Sequence, residues 1–164
     1  AALLAALLLG SQLMPNGHLS ETTPVGANLE DTVELLAFQL EQDGDRVYRP
    51  GDDVDLTLYW RALRAPEHDY KASVQLTDVA VTRQPAQHDG DPGAGYTPTT
   101  RWLPGELVPD GHTLTLPGDL APGRYRLWAA MYEFSTMRNL SVVSAATGTD
   151  GRRVMLAEIE VVAP

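Results

Sequence analysis

Val54-Asp55-Leu56-Thr57-Leu58-Tyr59-Trp60-Arg61-Ala62 alternates apolar and polar residues without a break. In an extended chain successive side chains point to opposite sides. Val54, Leu56, Leu58, Trp60 and Ala62 therefore share one face, and Asp55, Thr57, Tyr59 and Arg61 the other. The segment predicts a half-buried strand. The same alternation recurs in Tyr70 to Thr77, with Tyr70, Ala72, Val74 and Leu76 inward, and in Arg124 to Tyr132, with Tyr125, Leu127, Ala129 and Met131 inward. Trp128 and Tyr132 fall on the opposite face of that segment, and Glu158 and Glu160 alternate with Ala157, Ile159 and Val161 in a last strand. Weaker strand signals cover Val33 to Leu40, where a change of phase between Leu35 and Leu36 predicts a bulge, and Val79 to Thr82, Thr113 to Leu116 and Leu140 to Val143.

Turn residues fall between these segments. Arg49-Pro50-Gly51-Asp52, Leu103-Pro104-Gly105-Glu106 and Ala121-Pro122-Gly123-Arg124 place proline where one dihedral must be fixed and glycine where a positive one is needed. Asp110-Gly111 and Asp150-Gly151 carry hairpin-turn chemistry. Seven or eight short strands, 14 glycines and 12 prolines, and no convincing helix outside the first residues imply an all-β fold. The expected architecture is an antiparallel β-sandwich of immunoglobulin-like or jelly-roll type over residues 30–164, preceded by a linker over 15–29 and an apolar segment over 1–14.

That apolar segment begins Ala1-Ala2-Leu3-Leu4-Ala5-Ala6-Leu7-Leu8-Leu9, a short helical stretch without charge. A membrane span takes about 20 apolar residues, so the run covers half of one. The end of a membrane helix is the preferred reading, with a signal-peptide remnant and a helix docked on the domain as alternatives. Glu21, Glu30, Asp31 and Glu34 precede the first basic residue, Arg46. A flank of this sign fits an extracytoplasmic domain, because cytoplasmic flanks are enriched in Lys and Arg.

Composition narrows the function classes. The 164 residues carry 22 Asp and Glu against 12 Lys and Arg, a net charge of −10, which argues against a nucleic-acid partner whose phosphates need a cationic face. With no cysteine there is no disulfide, thiolate metal site or cysteine nucleophile. No nucleophile elbow, phosphate loop, dinucleotide fingerprint or His-Glu-x-x-His helix is present. The chain implies no cofactor and no catalytic residue of its own. Asp52, Asp53 and Asp55, and Asp89 with Asp91, supply the oxygen ligands calcium favours, but turns select the same residues, and that reading is preferred. Tyr96 and Trp102, with His88 and Asp89, lie in the turn-rich stretch His88 to Pro109. Aromatic faces pack on sugar rings while polar side chains bond hydroxyls, which makes these four the candidate glycan-binding residues. The plainer alternative is that the rings anchor the loop to the sandwich.

Taken in order, Val33-Glu34-Leu35-Leu36-Ala37-Phe38-Gln39-Leu40, Tyr48-Arg49-Pro50-Gly51-Asp52, Leu56 to Trp60, Gln87 to Gly90, Tyr96 to Trp102, Pro104-Gly105-Glu106, Asp110-Gly111-His112 and Ala121 to Leu127 form an ordered set. This set resembles a β-sandwich domain at the extracytoplasmic C-terminus of bacterial integral-membrane glycosyltransferases, themselves similar to dolichyl-phosphate-mannose-protein mannosyltransferases. The resemblance covers residues 30 to 162. It implies a noncatalytic accessory domain anchored to the membrane by an N-terminal helix, whose partners are a membrane catalytic unit and a glycan. Thr77 to Val81 depart from the usual Asp/Pro/Gly-rich turn, and Ala37 stands where glycine is common. The alternative function is a membrane-tethered structural or interaction subunit of a cell-surface or membrane assembly, with no sugar site.

Overall fold

The computed structural model of the chain describes residues 22–41 and 46–164, and the backbone of 12–13 and 19–20. The run Ala1 to Leu9, and with it the expected helical segment, lies outside the described residues. The strands are β1 (Gln12–Leu13), β2 (Leu19–Ser20), β3 (Thr22–Leu29), β4 (Val33–Leu40), β5 (Val47–Tyr48), β6 (Asp53–Ala62), β7 (Tyr70–Asp78), β8 (Ala86–Gly90), β9 (Leu107–Thr115), β10 (Gly123–Glu133), β11 (Arg138–Asn139), β12 (Val142–Ser144) and β13 (Val154–Val161). Short 3-10 turns cover Pro92–Gly95 and Thr99–Arg101. Among the described residues no helix is long and apolar enough to cross a membrane.

β1 and β2 pair with each other, and the remaining strands make two sheets. One runs β12-β3-β4-β6-β9 and is antiparallel throughout. The other runs β5-β13-β10-β7-β8, with β11 against the end of β10. Its edge strand β5 is parallel to β13, so this sheet is mixed and the expected all-antiparallel pairing is corrected there. β5 lies in the chain between β4 and β6, which both belong to the other sheet. The inward faces meet in one core, where Trp60, Phe38 and Leu58 of the first sheet share a cluster with Leu76, Leu127 and Ile159 of the second. The alternating strands bury the side chains that their sequence phase selects, and the β4 register shifts between Leu35 and Ala37.

Three further expectations are corrected. The stretch 15–29 is not all linker, because β3 pairs with β4 and buries Val25, Ala27 and Leu29. Its register shifts between Pro24 and Ala27, around Gly26 at φ +59°. The β3–β4 turn places Glu30 and Asp31 both at φ 51°, the paired left-handed geometry of tight hairpins. Asp110-Gly111 is no turn; both residues lie within β9, which pairs with β6 along its length. Val79 to Thr82 form no strand. The Asp78 carboxylate accepts the Thr82 and Arg83 amides and the Thr82 hydroxyl, and Val81 has φ 57°, which turns the chain back toward β8.

Strand directions sort the loops into two ends. β7 begins and β10 finishes at the pair Tyr70↔Glu133, whereas Asp78↔Tyr125 marks the opposite end. The turn at Glu30, the segment 63–69, the loop 91–106 and the turn after Glu133 gather at the first end. β3 enters at the second, with Thr22 opposite Gln39, and β13 leaves there, with Val161 opposite Gly123.

Candidate functional site

The loop 91–106 is held by a polar string that begins in the core. Asp110 is 2 % exposed. Its Oδ2 accepts the Trp60 indole N–H at 3.1 Å and lies 2.9 Å from His112 Nε2, while Oδ1 accepts the Gly93 amide at 3.2 Å. His112 Nδ1 is 2.8 Å from His88 Nδ1, a spacing that needs one proton between the rings, donated by one and accepted by the other. A buried carboxylate is stable only when donors surround it. This one ties β6, β9, β8 and the start of the loop together.

The four candidate glycan residues separate in the structure. Trp102 is 1 % exposed, packs in the core cluster and donates its indole N–H to the Thr97 carbonyl at 3.2 Å. It anchors the loop and has no face to offer a sugar. His88 points to the inner side of β8, opposite Val74, and belongs to the Asp110 string. Asp89 points to the outer side of the same strand, where it accepts from Gln87 at 2.7 Å and from the Tyr132 hydroxyl at 3.3 Å. Tyr96 is 91 % exposed at the loop tip. Of the four, Tyr96 and Asp89 are exposed, His88 is half-buried and Trp102 is shut off from solvent.

The calcium candidates diverge as well. Asp91 is engaged by Lys71 Nζ at 2.6 Å, and Asp89 by Gln87 and Tyr132. Asp52 caps the Arg49 amide, and Asp53 and Asp55 accept the hydroxyls of Thr115 and Thr113. Among the described residues no three His, Asp or Glu side chains are grouped to hold a metal ion.

Residues outside those four complete the surface. A cleft of about 260 Å³ opens between the start of β7, the end of β10 and the loop, lined among others by Asp69, Lys71, Asp91, Thr97 and Phe134. Phe134 is 58 % exposed, and the Lys71 ammonium lies 4.8 Å from its ring centre, within the range of a cation–π contact. A second cleft of about 210 Å³ on the other side of the loop reaches Tyr96, Glu106 and Val108. Sequence reasoning missed Phe134 and Lys71: neither sits in a motif, and only the pairing of Lys71 with Tyr132 across β7 and β10 brings them to the loop.

From this cleft the outer face of the mixed sheet continues with Lys71 and Gln75 half-buried and Gln87 and Asp89 exposed, while Ser73, Trp128, Ala130 and Tyr132 on the same face are buried. Tyr132 lies there beside Asp89, and burial, followed by the nearby Asp89 charge, pushes its phenol up from the ordinary value, so it stays a proton donor. Trp128 lies beneath the Arg153 guanidinium at 5.0 Å and donates its indole N–H to Thr77 Oγ1 at 2.9 Å. Arg153 is fixed from the side by Asp150. Burial acts to raise the Asp150 carboxyl, but the Arg152 and Arg153 amides and the Arg153 side chain outweigh it and hold the group below its usual range.

No protein-family model matches the chain, and no curated protein matches it in sequence. Its fold does occur among solved structures. The crystal structure of the C-terminal domain of wzt superimposes with a TM-score of 0.53 at 10 % identity, covering 93 % of this chain and 81 % of that one. At that identity the likeness is one of fold: this chain has the two-sheet β architecture of that domain.

Proposed function

We propose that the chain is a noncatalytic accessory domain that contacts glycan through the cleft beside Phe134, in an extracytoplasmic, membrane-anchored protein like the bacterial glycosyltransferases its motifs resemble. The observation that carries this is the cleft itself. An exposed aromatic ring stands beside a paired ammonium and carboxylate, with Asp69 and Thr97 on the same wall. An aromatic face with a few fixed polar groups is what a sugar ring needs. Entry of β3 at the far end supports an arrangement in which a tether on the N-terminal side leaves this cleft facing outward. Calorimetric titration with bacterial-type oligosaccharides, both uncharged and acidic, tests it. Saturable binding that drops at least tenfold in Phe134→Ala is expected, and no saturable binding to any of them rejects the glycan reading.

One observation favours the second reading, a structural or interaction subunit. Leu63, Leu103 and Leu107 are exposed around the turn in which the Gly105 amide bonds the Ala62 carbonyl, and such an apolar group suits a protein contact. Under that reading Leu103→Asp weakens capture of the membrane partner while glycan titrations stay silent.

A further inference from the structure

We infer that the ligand of this surface is an extended, uncharged oligosaccharide lying along the outer face of the mixed sheet, rather than a single sugar in the cleft; the inference rests on the glycan reading above. The polar groups form a strip and not an isolated pocket. At one end the Arg153 guanidinium donates to Gln75 Oε1 at 3.1 Å, and Gln75 donates in turn to Ser73 Oγ at 3.0 Å. On the neighbouring strand Gln87 donates to both Asp89 oxygens, at 2.8 and 2.7 Å. Lys71, two residues beyond Ser73 on the same face of β7, carries the strip to Asp91 and the Phe134 ring. Successive same-face residues on a strand are about 7 Å apart, so Gln75 to Lys71 alone covers roughly 13 Å. That is more than one sugar ring fills, and the cleft extends it.

The chemistry of the strip selects both the class and the charge of the occupant. Side-chain amides offer both donors and acceptors and carboxylates offer acceptors, which match neighbouring hydroxyls repeated along a sugar chain. The two cations of the strip are already matched within the protein: Arg153 with Asp150, Lys71 with Asp91. Asp89 takes its donors from Gln87 and Tyr132. An anionic ligand would have to break one of these pairs to reach a cation, and would also meet the net charge of −10. An uncharged chain can add its hydroxyls to oxygens and amides that stay where they are. Trp128 contributes beneath the surface, since its ring supports Arg153 and offers no open face.

The test is an array bearing uncharged hexose oligomers of several linkages, each from monosaccharide to hexasaccharide, beside uronate oligomers of the same lengths, with calorimetry on the hits. Affinity is expected to rise at least tenfold from disaccharide to hexasaccharide in one or more uncharged series, with the uronates silent. Gln75→Ala and Gln87→Ala should each lower hexasaccharide affinity at least fivefold at an unchanged thermal midpoint. Monosaccharide binding as tight as hexasaccharide binding, or uronate binding as tight as that of the uncharged chains, overturns this inference and leaves the glycan reading standing. Silence across the whole array overturns both.

Discussion

The Asp110 carboxylate on β9 and the Trp60 indole on β6 are joined by a hydrogen bond of 3.1 Å between two side chains that are almost wholly buried. Trp60 faces the core because of strand phase, but its N–H needs an acceptor there, and Asp110 also serves Gly93 and His112. Replacing Asp110 with Ala leaves the buried Trp60 and His112 rings without this partner and releases the half-buried Gly93 amide. A loss of about 3 kcal/mol is expected, which for a domain of this size lowers the thermal midpoint by about 10 °C. Denaturant unfolding checks the first figure and a thermal melt the second; a variant as stable as the parent would mean the network contributes nothing.

Trp102 and Tyr96 share one loop and differ completely in burial. Trp102→Ala removes a large ring from the core cluster and should cost about 3–5 kcal/mol. Tyr96→Ala, at a site almost fully in solvent, should stay within about 0.5 kcal/mol of the parent. A comparison of unfolding midpoints decides whether each ring is an anchor or an exposed contact.

Much of this fold was legible because burial on one face leaves a period of two in the sequence, as in β6, β7 and β10. β3 escaped notice because Pro24, Gly26 and Asn28 look like a loop while its bulge at Gly26 absorbs the irregularity. Its turn also gave no warning, since Glu30 and Asp31 adopt positive φ without the usual Asn or Gly. Asp110-Gly111 misled for the opposite reason. The pair has turn chemistry, but the aspartate is held by a tryptophan fifty residues earlier, a contact that no local window contains. The site followed the same logic. Its loop was visible from composition, yet which of its rings faces solvent depends on packing, and Phe134 and Lys71 join it only through cross-strand register.

Gly93 and Gly105 both have positive φ, at +67° and +85°. A side chain at Gly105 would meet open space, whereas a Cβ on Gly93 would lie 2.9 Å from Val108 Cγ1. Gly105→Ala should therefore cost only the backbone term, about 1–2 kcal/mol, and Gly93→Ala more, because it also pushes the loop off its bond to Asp110. Equal losses in denaturant unfolding would show that the contact with Val108 relaxes freely.

Glu30 contributes to the pH dependence of the end that carries the cleft, where the Ser135 hydroxyl also holds the Glu133 carboxyl below its ordinary value. The Glu30 carboxylate accepts both Arg138 Nη atoms, at 2.5 and 3.2 Å, and the Ser141 amide at 2.9 Å. The Arg138 hydrogen bond leads in holding its carboxyl below the ordinary value, with burial opposing and the Ser141 amide adding. A group depressed in the folded state binds fewer protons there than in the unfolded chain, so stability rises with pH across the gap between the two values. Its contribution is complete above the ordinary glutamate range and disappears as pH falls through the lower, folded value. The side chain is partly in solvent, which limits the effect to no more than about 1 kcal/mol. Glu30→Gln keeps an acceptor for Ser141 but gives up the charge. Melts of parent and variant from neutral pH down to strongly acidic conditions should show the parent ahead at neutrality and the gap closing on acidification. A gap that stays constant across that range would mean the ion pair with Arg138 is not its source.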